Sequence, residues 1–335
     1  MTTLIALATK HAVVVGADSL GTETRPLVDP LRLIQYFDPN NGFRMRTNAD
    51  GSPTLPDFST VFNEAEHVPY NQLLHVNKLF HLGKLPIGAM FTGIVSIGPH
   101  TIRGLVSSFI AQDIPTRQGN RNYSVKTVTE RLLKHFRHYY TNEYKQSYLE
   151  QELELLVAGY DRDKQWPTIL RVDVRRNKID VEFPAGEFGI AFAGQMDWIQ
   201  RIVFGTDTQN RVNLRSRVDE LLELYRARLQ AHVTANGYTG DLPKPGSFGT
   251  ELALFQDWDL DSLDANWGNF SEQNAIDCIS FFLGVMIQAQ DVSAQLPTVG
   301  GNKHIAVIRK DGFYPVTKEV WTHEDHQVSI PEVRV

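Results

Sequence analysis

Thr2 stands directly behind the initiator methionine and sixteen residues ahead of Asp18. A second residue as small as threonine lets methionine aminopeptidase remove Met1. The exposed threonine then carries both an attacking Oγ and its own general base, an α-amine whose ordinary pKa is near 8. A cation beside that amine lowers its proton affinity, and a carboxylate keeps the cation in place. Asp18 is a candidate for that carboxylate because of the elements around it. Residues 2 to 9 alternate about a two-residue period, Thr9-Lys10-His11 interrupts, and Ala12 to Gly16 resumes with three valines. Two such runs around a polar break read as a buried hairpin, which returns Asp18 to the first residue. The plainer reading is the hairpin alone, with no chemistry attached.

The 335 residues suffice for one large domain or two small ones, and 42% apolar with 21% charged is ordinary globular composition. A net charge of −6 and no basic run exclude a general nucleic-acid binder. Cys278 is the one cysteine, so no disulfide forms within the chain, and a reducing cytoplasm is expected. The first apolar run is too short and too interrupted for a signal peptide, and no run is long enough to span a membrane.

Residues 22–70 read as a long irregular region rich in proline, with Asn-Gly and Asp-Gly turns. Leu73 to Leu82 reads as a strand, with Leu74, Val76, Lys78 and Phe80 on one side, and Pro86 to Thr92 as another. Two helices follow, Thr101 to Ile114 and one capped by Ser124. Strands are expected at 153–160, 168–174, 178–183 and 189–193, then a short helix at 196–204. A strongly amphipathic helix over 212–233 places Leu214, Val218, Leu221, Leu222, Tyr225 and Leu229 on one face. A nearly all-apolar helix, 274–290, reads as buried on most sides, and Lys303–Arg309 as a last strand before an extended tail. Two facing sheets with helices outside each accommodate this order.

Other chemistry-bearing residues are weaker. His135 and His138 share a helix face without a third ligand in the nearby sequence. His323 to His326 reads as a solvated charge run. Asp257, Asp259 and Asp261 imitate the start of a calcium loop, but Ser262 and Gly268 stand where its glycine and glutamate belong.

In this order the motifs resemble those of proteasome β-type subunits, in the N-terminal nucleophile (Ntn) hydrolases. TTLIALATKHAVVVGADS is similar to the family's opening, and Thr2 with Asp18 keeps its spacing, which Thr3 would break. NKLFHL resembles the segment with the catalytic lysine, which implies that role for Lys78; a strand-end lysine reaching solvent is the plainer reading. MFTGIVSIG resembles the strand end whose glycine amide forms the oxyanion hole, here Gly93. VGGNKHIAVIRKDGF resembles the last strand and its turn.

The resemblance implies an α+β fold, a four-layer αββα Ntn-hydrolase sandwich of two antiparallel sheets flanked by helices. It implies one domain over 1–335, with insertions at about 22–70 and 206–270 and a tail from about 316. It further implies a threonine-type peptidase in a self-compartmentalising homo-oligomeric ring, needing no cofactor or metal. Its partners would be peptide or unfolded protein and an unknown ATP-dependent unfoldase, without nucleic acid or membrane. Val76, Phe80, Phe91 and Val95 would line an apolar specificity pocket, unless Phe91 fills it. Departures are Gln195 in place of a serine, and Leu296 and Val299 near an expected Asp and Ser, with Thr298 close by. The alternatives are a catalytically inactive ring scaffold and a small-molecule Ntn amidase.

Overall fold

The computed structural model describes residues 2–27, 33–34, 36–38, 44–54, 66–73, 75–114, 123–144, 151–205, 208–237, 239–241, 265–292 and 297–317. The fold is mixed α+β, with two five-stranded antiparallel sheets and five helices of two turns or more among these residues. Two compact units divide it: Met1–Gln195 with Asn266–Val335, and Met196–Ala265.

In the first unit, β1 (Thr3–Ala8) and β2 (Val13–Asp18) form the expected hairpin, with Leu4 opposite Ala17 and Ala8 opposite Val13. Every residue of both strands is buried, which is why each strand is apolar on both of its faces. The next strands longer than two residues are β3 (Gly21–Leu27) and β4 (Glu66–Leu73), which pair with each other antiparallel. The region read as irregular is therefore closed at its base by a long-range ladder. Inside it, Phe37–Asp38 pairs with Arg44–Met45, and Asp50-Gly51 makes a turn with Gly51 at φ 79°. Asn41-Gly42 and Leu74 lie outside the described residues.

The strand expected over 73–82 is split. His75 takes φ 61°, which ends the extended run, and β5 is only Leu79–His81. Lys78 therefore lies in the link before β5. The remaining strands of the two main sheets are β6 (Ile87–Gly93), β7 (Leu153–Tyr160), β8 (Pro167–Asp173), β9 (Lys178–Phe183), β10 (Gly189–Gly194), β11 (Lys303–Arg309) and β12 (Gly312–Pro315). One sheet runs β10-β1-β2-β11-β12 and the other β9-β8-β7-β6-β5.

Leu4, Ala6, Val13, Val15, Met90, Leu156, Ala191 and Ala306 pack together, so the two sheets bury their inner faces against each other. The outer face of the second sheet carries Phe80, Phe91, Leu155 and Val157, packed under α1 (Ile102–Asp113) and α2 (Val125–Tyr144). Thr101 caps α1 through its side chain, and Ser124 Oγ accepts from Thr127 N–H at the start of α2.

The second unit contains α3 (Asp197–Phe204) and α4 (Thr208–Ala235). The segment expected as an insertion at about 206–270 falls largely in this unit. On α4, Leu221, Leu224, Tyr225 and Leu229 are exposed, whereas the pattern had suggested a covered face.

The last helix of the first unit, α5 (Glu272–Asp291), is capped by Ser271 and lies on the outer face of β1, β2 and β11. Gly16 permits this approach, since a Cβ there would stand 2.4 Å from Ile279 Cγ2. Only the stripe Ala275, Ile279, Phe282, Leu283 and Met286 is buried, and Phe281 is exposed. Apolar composition all round therefore does not mean burial all round in α5.

Candidate active site

The start of β1 and the end of β2 meet at Asp18, which is completely buried. One carboxylate oxygen, Oδ1, accepts from Thr3 N–H at 2.9 Å and Lys78 Nζ at 3.0 Å. The other, Oδ2, accepts from Leu20 N–H at 3.2 Å, Gly300 N–H at 3.1 Å and Lys78 Nζ at 3.0 Å. Each of these partners is a donor, which suits a carboxylate. The Lys78 ammonium spends its donors on both Asp18 oxygens and on Leu20 C=O at 2.5 Å.

Lys78 is 1% exposed, so the strand-end lysine reaching solvent is not what the fold contains. Burial pushes its pKa below the ordinary lysine value, while the Asp18 charge and hydrogen bond push it back up. A buried pair of this kind is costly to assemble and persists only when its remaining hydrogen bonds are made. Here main-chain groups of residues 3, 20 and 300 make them.

Thr2 is 3% exposed and precedes β1 directly. Its carbonyl accepts from Gln195 N–H at 2.7 Å, and Thr3 Oγ1 donates to Gln195 C=O at 2.7 Å. The Thr3 hydroxyl is thus committed to main chain. Gly194 has φ 76°, and a Cβ on it would fall 2.0 Å from Thr2 O and 2.7 Å from Thr92 Oγ1. Thr2 and Thr92 therefore crowd the same point, and Thr92 is the neighbour of Gly93. Gly93 is exposed at the end of β6 with φ 104°, and a Cβ there would lie 2.0 Å from Glu152 O. Only glycine fits this backbone.

The four residues expected to line a pocket separate into two pairs. Phe80 and Phe91 are buried and stack on each other at 5.4 Å between centroids, inside the core under α1 and α2. Val76 and Val95 are half-buried and converge on Gly21, where a Cβ would stand 2.8 Å from Val76 Cγ2 and 3.4 Å from Val95 Cγ1.

Several contributors escaped the sequence reading. Gly300 supplies an N–H to Asp18 and a C=O to the N–H groups of Ser19 and Leu20. Ser19 Oγ accepts from Asn302 N–H at 2.7 Å. The double glycine at 300–301 was the available signal, and Gly301 does take φ 73°. At the positions where the resemblance implied a support shell, Val299 is buried, Leu296 lies outside the described residues, and Thr298 donates to Gln195 Oε1 at 2.5 Å.

Elsewhere, His135 Nε2 bonds Leu105 O, and burial is the main reason its pKa falls below the ordinary value. No metal-holding group of His, Cys, Asp or Glu occurs among the described residues. The 257–261 aspartates and the 323–326 histidines lie outside them. No helix among the described residues is long and apolar enough to cross a membrane.

No protein-family model matches the chain, and no curated protein matches it. Among solved structures it is similar to Anbu. That structure, described as an ancestral beta-subunit from Yersinia bercovieri, aligns over 94% of this chain and 87% of its own at 9% identity, with a TM-score of 0.43.

Proposed function

We propose that the chain is a threonine-type peptidase of the Ntn-hydrolase kind, built on a four-layer αββα sandwich, with Thr2 as nucleophile once Met1 is removed. The observation that carries this reading is the buried Lys78–Asp18 pair, tied through Thr3 N–H to the residue after the nucleophile. A scaffold without chemistry gains little from hiding two charges at the first residue of its central strand.

The roles follow. Thr2 Oγ attacks a peptide carbonyl carbon, and its proton passes to the Thr2 α-amine. The positive charge of Lys78 keeps that amine neutral and able to accept, and Asp18 holds Lys78. The carbonyl electron pair moves onto oxygen, where the Gly93 N–H stabilises it by about 3–4 kcal/mol. When the pair returns, the C–N bond breaks and the amine passes its proton to the leaving nitrogen. Water then hydrolyses the Thr2 ester by the same steps. Val76 and Val95 would face the substrate's apolar side chain.

Self-association into a ring is part of this proposal, supported by exposed Leu221, Leu224 and Tyr225 on α4. The lone Cys278 suits a reducing cytoplasm. An unfoldase partner would deliver substrate to such a ring. Light scattering at micromolar concentration should show an oligomer; a strict monomer rules out the compartmentalised form.

The deciding experiment is intact mass with epoxyketone labelling, a warhead that needs both the Oγ and the free amine of a terminal threonine. The expected result is a mass lacking Met1 and one adduct, lost in Thr2→Ala. A second reading, an inactive ring subunit, is favoured by the near-complete burial of Thr2. Retained Met1 with no adduct would decide for it.

A further inference from the structure

We propose that Pro297–Gly300 is a clasp that orients Thr2 against the Lys78–Asp18 pair, adding to the direct Thr3 N–H bond to Asp18, with Thr298 as its positioning residue. Only the kinetic part of the test rests on the peptidase reading; the geometric part does not.

The segment joins α5 to β11, and each of its ends holds one half of the site. At the Gly300 end, the N–H binds Asp18 Oδ2, and the C=O accepts from Ser19 N–H at 3.2 Å and Leu20 N–H at 2.9 Å. Leu20 C=O in turn receives Lys78 Nζ. Through these bonds Gly300 positions the charged pair.

At the other end, Thr298 Oγ1 lies 2.5 Å from Gln195 Oε1 and 3.3 Å from Gln290 Oε1. A hydroxyl has one proton to give, so these distances assign it to Gln195. Gln290, in the last turn of α5, is held instead by Thr298 N–H at 3.2 Å. Gln195 is the residue whose main chain binds both Thr2 C=O and Thr3 Oγ1. Thr298 therefore fixes the side chain of the residue that fixes Thr2.

The clasp is anchored from outside as well. Pro297 C=O accepts from Gln72 Nε2 at 2.8 Å and from Thr22 Oγ1 at 3.4 Å, both on the β3–β4 ladder. Thr298 is 6% exposed and Val299 is fully buried, so water does not compete for these bonds. Released at Thr298, Gln195 loosens its hold on the Thr2 carbonyl, and Thr2 pivots about the Thr3 N–H bond to Asp18, which stays with Lys78 and Gly300.

Misplacement on the scale of 1 Å costs roughly 10²-fold in rate. The test compares Thr298→Val, which keeps shape and loses the hydroxyl, with Thr298→Ser, which keeps the hydroxyl. Hydrogen exchange is followed by mass spectrometry on peptides covering residues 2–8 and 190–197, without substrate. We expect faster exchange at both segments in Thr298→Val, wild-type exchange in Thr298→Ser, and unchanged exchange across β7 and β8 in both. On a peptide substrate, Thr298→Val should lower kcat by one to two orders of magnitude with little change in KM. Wild-type exchange in Thr298→Val, or a serine variant as loosened as the valine one, overturns the clasp. A wild-type protein that cleaves nothing overturns the peptidase reading instead, and the exchange pattern still decides the clasp.

Discussion

Lys78 and Asp18 are 1% and 0% exposed in the first unit, whereas Leu221 and Tyr225 on α4 of the second are 65% and 68% exposed. One region hides charge and the other shows apolar surface. The hidden charges are tolerable because Thr3, Leu20 and Gly300 complete their hydrogen bonding, so each ion has a partner at every lone pair or proton that needs one. On α4, Leu221 and Tyr225 keep most of their surface in solvent, whereas β1 and β2 are buried throughout. Burial in this chain follows the partners available rather than residue type.

The largest expected effect breaks the hidden pair. Asp18→Ala leaves the Lys78 ammonium buried without its anion and strips an acceptor from three main-chain N–H groups. Removing one member of such a pair costs about 3–5 kcal/mol, read as a lower midpoint in denaturant unfolding. Lys78→Met should cost less, because the main-chain donors still serve Asp18. Combining Lys78→Met with Asp18→Ala should be less damaging than the sum of the singles, since no charge is left stranded. It should not restore wild-type stability, because the N–H groups of Thr3, Leu20 and Gly300 keep no acceptor. Additive losses would show that the pair is not coupled as its geometry implies.

Next in size is a pair of glycines that separates strain from crowding. Gly194 in the first unit and Gly237 in the second have φ 76° and 89°. An added Cβ meets Thr2 O at 2.0 Å in the first case and nothing within 4 Å in the second. Gly237→Ala should cost about 1–2 kcal/mol, the strain of a left-handed backbone alone. Gly194→Ala should cost more and should also move Thr2. Equal losses in the two variants would mean the close approach at Thr2 relaxes freely.

Much of the first unit was legible because its strands carry their own signals. The valine run of β2, the alternation in β1 and the Ser124 cap all act over a few residues, and they formed where expected. Asp18 was legible for the same reason, as a carboxylate ending an apolar strand. The β3–β4 ladder was not, because it pairs Gly21 with Leu73 across a proline-rich stretch that reads locally as loop. Nor was the split at His75, where a single residue takes φ 61° with nothing nearby in sequence to announce it. The clasp was hidden for a third reason. Gly300, Thr298 and Gln195 act largely through main-chain groups or neutral side chains, whose partners depend on strands far away in sequence. On α4 the periodicity showed a helix with an apolar face, and periodicity carries no information on what covers that face.

A smaller effect tests the exposed side of the comparison. Leu221→Ser and Tyr225→Ser should each change the stability of the isolated protomer by no more than about 0.5 kcal/mol, the range for surface positions. Leu4→Ala, in the zone between the sheets, should cost about 2–5 kcal/mol. Thermal unfolding of the three variants side by side gives the ratio. A loss of core size at Leu221 or Tyr225 would mean that the face is covered in the intact protein.

The smallest effect is chemical and carries no stability change, and it returns to what partners do for a buried ionisable group. Cys278 on α5 is half-buried, as Lys78 is fully buried, but desolvation alone acts on its thiol and pushes the pKa up to about 11. Against the ordinary value of 9.0, about a hundredth as much thiolate is present at pH 8. A more basic thiolate is also the better nucleophile, with a Brønsted slope of about 0.4–0.5, which restores somewhat less than a factor of ten. The net expectation is alkylation by iodoacetamide roughly tenfold slower in the folded protein than in the same protein unfolded in urea, before any steric hindrance. The folded rate should still be climbing steeply with pH at pH 9 to 10, where an ordinary thiol levels off. A folded rate equal to the unfolded one, or a plateau near pH 9, would show that Cys278 has a partner for its charge, as Lys78 has in Asp18.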